Sequence, residues 1–140
     1  MELRRVLDGL KNIKVRGNLD LEISNIESNS KKVTPDSLFV AISGFDFDGH
    51  KFVGEAIENG ATAVMLDMNA DLKGIKIPAG VTVIIAEDTR YALAISACNF
   101  YGNPSRKFKL IGVTGTKGKT TTTYMIKAIL EKQGYKVGLI

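Results

Sequence analysis

The stretch Thr114-Gly115-Thr116-Lys117-Gly118-Lys119-Thr120-Thr121 lies between an apolar run at 108–113 and a helical pattern at 119–133. No other junction restricts the fold as much. Phe108, Leu110, Ile111 and Val113 read as a buried strand, and Met125, Ile126, Ile129 and Leu130 keep the spacing of one core-facing helix stripe. Gly134 stops the helix, and 135–140 reads as a second strand. Strand, glycine turn, helix and strand make a βαβ unit, which requires a parallel sheet and a right-handed crossover. The expected fold class is therefore α/β.

The turn itself has the chemistry of a phosphate loop. Gly115 and Gly118 permit backbone angles that a side chain forbids and let main-chain N–H groups approach an anion at a helix N-terminus. Lys119 is the catalytic candidate, long enough to reach the β and γ phosphates of ATP, and the Thr120 hydroxyl is the candidate Mg²⁺ ligand. Gly115, Thr116, Lys117, Gly118, Lys119, Thr120 and Thr121 form the expected nucleotide cradle. The generic pattern G-x-x-x-x-G-K-[ST] fails at its first glycine, where Val113 stands, so the loop is a variant. Without a ligand the same residues make a glycine turn before a helix. Three threonines after Gly-Lys are nevertheless poor helix formers with which to begin a purely structural helix.

Charge and punctuation divide the chain where this unit begins. Residues 1–103 hold 11 Lys/Arg against 14 Asp/Glu, whereas residues 104–140 hold 8 against the single Glu131. Gly102-Asn103-Pro104-Ser105 marks the boundary, giving an N-terminal domain at 1–103 and a second at 104–140. The basic residues are not interleaved with aromatics, which argues against a nucleic-acid groove and for a small phosphate-bearing ligand. Cys98 is the only cysteine, so no disulfide framework exists and a cytoplasmic setting is expected. No apolar run approaches the ~20 residues of a membrane span, so no membrane insertion is expected.

Upstream, the periodicity predicts a helix over 2–10, strands over 21–26 and 38–42, a helix over 51–59 ended by Gly60, and strands over 61–66 and 81–85. Asp88 is placed to cap a helix over 89–101, whose apolar residues on nearly every side suggest packing between two layers. A mixed sheet with helices is expected for 1–103. The βαβ unit closes on the last residue of the chain, and the expectation is a truncated ATP-binding domain within a larger α/β protein.

The segment 114–122 resembles the ATP loop of the Mur ligases, which reads T-G-T-[NK]-G-K-T-T and which accounts for Val113. The likeness continues upstream. Asn29-Ser30-Lys31-Lys32-Val33 is similar to the family's D-S-R-x-V, Leu38-Phe39-Val40-Ala41 to L-F-V-A, and Asp48-Gly49-His50-Lys51-Phe52 to D-G-H-x-F. Phe100-Tyr101-Gly102-Asn103-Pro104-Ser105, followed by Leu110-Ile111-Gly112-Val113, resembles the interdomain segment of the member that adds the third peptide residue.

The resemblance implies an ATP-dependent, ADP-forming amide ligase of peptidoglycan synthesis. Its substrates would be UDP-MurNAc-L-Ala-D-Glu and an amino acid, and its cofactors ATP and Mg²⁺. It implies that the N-terminal domain holds the UDP end through Ser28, Ser30, Phe45, Asp46 and Phe47, with the phenylalanines around the uracil ring and Ser30 bonding a phosphate or uracil oxygen. Asn29 and Lys31 stand where the family has Asp and Arg, and lysine lacks the planar fork of arginine. His50, the only histidine, is expected to shape a turn. The competing readings are a non-catalytic UDP-sugar-binding module, an unrelated small P-loop NTPase, and the family member that adds D-Ala-D-Ala, whose loop more often reads T-G-S. By itself the chain is expected to be inactive.

Overall fold

Residues 61–66 contain no charged side chain, the composition of a strand covered on both faces. In the computed structural model, which describes residues 1–44, 48–70 and 74–140, they belong to the central strand of a five-stranded sheet. The chain divides into two units, Met1–Pro104 and Ser105–Ile140.

The first unit runs α1 (Leu3–Val6), β1 (Lys14–Arg16), β2 (Asn25–Glu27), a 3₁₀ turn (Ser30–Lys32) and β3 (Ser37–Val40). A second 3₁₀ turn (Gly49–Phe52), α2 (Val53–Glu58), β4 (Ala61–Asp67), β5 (Thr82–Ala86) and α3 (Thr89–Phe100) follow. Strand order is β1-β5-β4-β3-β2; β2 to β5 are parallel and β1 is antiparallel to β5. The mixed sheet expected from the sequence is present.

Alternation along the strands builds two apolar layers. Leu38, Val40, Ala63, Met65 and Ile84 face Leu3, Val6 and Ala92 on one side, while Phe39, Ala41, Val64 and Leu66 face Val53 and Ala56 on the other. Each fully buried side chain of this size stabilises the fold by about 1.5–3 kcal/mol relative to exposure.

Several elements differ from the sequence pattern. The first helix is four residues long, not nine, and residues 21–23 bond to the N-terminus: Leu3 N–H donates to the Leu21 carbonyl and Ile23 N–H to the Met1 carbonyl. That pairing delays β2 to Asn25. Strand β1 escaped the sequence reading because three residues, two of them charged, carry no period; its exposed Lys14 and Arg16 suit an edge. Helix α3 buries only Thr89, Ala92 and Ser96, one stripe against α1, β2 and β4, so it covers one layer rather than lying between two. Asp88 caps it as expected, accepting from the N–H groups of Arg90 and Tyr91 at 2.8 and 3.0 Å.

In the second unit the helix of the expected βαβ unit forms as α4 (Lys119–Lys132), but no strand forms at 108–113 or 135–140. A strand exists only through its ladder, and two segments joined through one helix make a single pair at most, short of the three strands that stability needs. Met125 and Ile129 are 62% and 64% exposed, so the apolar stripe of α4 is not core within this unit. A lone helix finds nothing in its own unit to bury that stripe against. Among the described residues no helix is long and apolar enough to cross a membrane.

Candidate functional site

The loop of the second unit has the geometry of an anion cradle. Gly118, the N-cap of α4, sits at φ +77°, in the left-handed region, and Gly115 at φ +153°. No atom lies within 4 Å of where a Cβ on Gly118 would stand, so it is the backbone angle, not space, that requires glycine there. No side chain caps α4 and no acidic residue occupies its first turn. Its first N–H groups and the positive end of its dipole are left to an external acceptor, the arrangement that binds phosphate.

Lys119 Nζ donates to the Gly115 carbonyl at 2.6 Å, which folds the ammonium back over the loop. Thr116, Lys117, Thr120 and Thr121 are exposed in the same turn of chain. All seven cradle residues expected from the sequence are thus contiguous and accessible. The Thr120 hydroxyl is a hard oxygen donor of the kind Mg²⁺ accepts beside substrate phosphates. Among the described residues no group of three or more His, Cys, Asp or Glu is placed to hold a metal ion. The loop therefore fits Mg²⁺ as one contributor to a site, not as a cage.

In the first unit the expected substrate residues differ sharply in exposure. Ser28 is exposed, whereas Ser30, which opens the first 3₁₀ turn, is 6% exposed. The Ser30 hydroxyl donates to Glu55 Oε2 at 2.6 Å, and its carbonyl accepts the Asn59 side-chain N–H at 3.0 Å. Sequence reasoning missed Glu55 and Asn59. They lie 25 and 29 residues downstream, and nothing in their local pattern marks them. Phe45, Asp46 and Phe47 lie outside the described residues.

Beyond β3, Asp48 ties Ser43 to His50. Asp48 Oδ1 lies 2.6 Å from His50 Nδ1, accepts the His50 N–H at 3.0 Å, and accepts the Ser43 hydroxyl at 3.3 Å. These hydrogen bonds, the ring contact first, hold the Asp48 carboxyl below the usual carboxylate range. His50 is 1% exposed, and its Nε2 accepts the Asp67 backbone N–H at 3.0 Å. Because Nε2 accepts, the ring proton resides on Nδ1 and points at Asp48. Gly49 packs so closely on Ile42 that a Cβ would stand 2.7 Å from its nitrogen. His50 is a structural turn residue, as the sequence suggested, and Arg90 adds a further tie by donating to the Ser43 carbonyl at 3.0 Å.

Residues 22–101 match the family described as Mur ligase family, catalytic domain. The chain belongs to the Mur ligase family. Residues 113–140 match the Mur ligase middle domain. The UDP-N-acetylmuramoyl-L-alanyl-D-glutamate--2,6-diaminopimelate ligase of Clostridium tetani is 45% identical over 140 residues, 100% of this chain and 28% of the relative. The ligase of the same name from Caldanaerobacter subterraneus is 50% identical over 138 residues, 97% of this chain and 28% of the relative. The chain thus spans 28% of the length of these curated Mur ligases.

Solved Mur ligases share the fold. A crystal structure of MurF from Acinetobacter baumannii superposes with TM-score 0.55 at 26% identity, covering 93% of this chain and 26% of that one. The MurF ligase of Thermotoga maritima in complex with ADP gives TM-score 0.52 at 33% identity, covering 81% and 24%. Sequence identity to the named diaminopimelate ligases exceeds that to either MurF structure.

Proposed function

We propose that this chain is the N-terminal part of a cytoplasmic, ATP-dependent Mur ligase that adds 2,6-diaminopimelate to UDP-MurNAc-L-Ala-D-Glu in peptidoglycan synthesis. Residues 1–103 hold the UDP end of the substrate through Ser28, Ser30, Phe45, Asp46 and Phe47, and residues 104–140 begin the ATP-binding domain. The observation that carries this reading is the alignment of 100% and 97% of the chain with relatives named as diaminopimelate ligases, at 45% and 50% identity. The same figures favour this ligase over the D-Ala-D-Ala-adding member.

In the reaction the substrate carboxylate takes the γ-phosphoryl group of ATP, and the incoming amine then displaces phosphate to form the amide. Bound Mg²⁺ would neutralise phosphate charge beside the Thr120 hydroxyl. This chain's own contribution is the loop N–H groups and Lys119, aimed at charge that develops on the migrating phosphoryl group. The left-handed Gly118 at the uncapped start of α4 supports that role.

Calorimetric titration of the chain with UDP and with ATP tests the two halves of the reading separately. Saturable binding of each is expected. Replacing Ser30 by Ala should weaken UDP about fivefold, the worth of one neutral hydrogen bond. Unchanged UDP affinity in that variant would remove Ser30 from the site.

A further inference from the structure

The Ser30 hydroxyl has one proton, and that proton is committed to Glu55 Oε2 at 2.6 Å. A carboxylate oxygen offers only lone pairs in return, so the bond has a fixed direction, from the hydroxyl to Glu55. The residue is held from other sides as well. Its carbonyl accepts the Val33 N–H at 3.2 Å and the Asn59 side chain at 3.0 Å. Glu55 and Asn59 are four apart, so one face of α2 and its C-terminal end grips both ends of the serine.

We propose that Glu55 is a positioning residue that fixes the hydrogen-bond polarity of Ser30, so that Ser30 Oγ meets the UDP-bearing substrate only as an acceptor. The proposal rests on the reading of residues 1–103 as the UDP-holding domain. Phosphate oxygens and the uracil carbonyls are themselves acceptors and gain nothing from such an oxygen. A carboxylate directly behind the hydroxyl also repels a diphosphate. The donors on a uridine nucleotide are the uracil N3–H and the ribose hydroxyls. Ser30 therefore reads one of these nucleoside donors, while the diphosphate lies elsewhere. Glu55 acts through Ser30 and does not itself touch the ligand.

The test is calorimetric titration of the 140-residue chain with UDP, 2′-deoxy-UDP, 3′-deoxy-UDP and N3-methyl-UDP. The expected result is that one analogue binds about tenfold more weakly than UDP, because its loss leaves the Ser30 oxygen facing no donor. In Glu55→Ala, a change to a good helix former, the freed hydroxyl can turn its proton outward. The gap should shrink to about threefold or less. In Ser30→Ala the gap should close further, and adding Glu55→Ala to that variant should change UDP affinity no more, since the two residues act as one unit. Equal affinity of the wild-type chain for all four nucleotides would overturn the proposal and leave the UDP site standing. So would a gap of the same size in Glu55→Ala. Failure of the wild-type chain to bind UDP at all would overturn the site and the proposal together.

Discussion

The Nε2 atom of His50 accepts the backbone N–H of Asp67 at 3.0 Å, which pins the turn after β3 to the last residue of β4. The ring is fully enclosed and both of its nitrogens are partnered. His50→Ala would leave the Asp67 N–H without its acceptor and open a space the size of the ring. The expected loss is about 2–4 kcal/mol of unfolding free energy. Urea denaturation followed by circular dichroism measures it, and a loss under about 0.5 kcal/mol would show that the tie is dispensable.

Asp48 should make part of the acid limb of stability. Its carboxyl is held below the ordinary value by the His50 ring and the His50 N–H. A group whose pKa is lower in the folded chain contributes stability that is complete above the unfolded value, about 4, and that disappears as pH falls through the folded value. The side chain is 43% exposed, so solvent screening keeps the contribution modest. Asp48→Asn should flatten the fall of the urea midpoint below about pH 4 while leaving a milder loss at neutral pH. An acid limb identical to that of the parent would mean that other carboxyl groups make it.

Lys119→Met, placed in a protein that contains the remainder of the ligase, keeps most of the side-chain volume and removes the ammonium now folded onto Gly115. In the proposed role its contact with phosphate would strengthen as charge develops in transfer, so turnover should fall by a factor of ~10² or more, with a smaller change in KM. Steady-state ADP release reads both quantities. Near-normal turnover would mean that the loop does not act on the transferring group.

The 140-residue chain alone should bind nucleotide without forming an amide. Phosphoryl transfer to a carboxylate depends on the loop, metal-holding carboxylates and an oriented amine acting together. The described residues supply the loop and show no cluster fit to hold a metal. Incubation with ATP, Mg²⁺, UDP-MurNAc-L-Ala-D-Glu and diaminopimelate should give no amino-acid-dependent ADP. Such release at a rate typical of a ligase would defeat the expectation.

Elements with their own strong signal are readable in the sequence alone. The apolar residues 61–66, the Asp88 cap of α3 and the Gly118-Lys119 start of α4 each depend on side chains within a few positions of one another. Elements that exist only through a distant partner are not. Strand β1 is defined by pairing of Lys14 with Ile85, and the delayed start of β2 by bonds from residues 21–23 to the N-terminus. The runs at 108–113 and 135–140 have strand composition but no ladder, because composition supplies a propensity and only a neighbouring backbone supplies the hydrogen bonds.

The same division holds at the candidate sites. The glycine loop before α4 is legible because its geometry is local: two glycines, a lysine and a helix start within a few residues, all encoded next to one another. Ser30 is legible as a position but not as a chemical group. Only the fold brings Glu55 against its hydroxyl and Asn59 against its carbonyl, and only the fold places Asp67 on the far nitrogen of His50. A side chain's type is written in the sequence. Which of its lone pairs and protons remain free is decided by residues that chain folding brings within about 3 Å, and no local spacing records that.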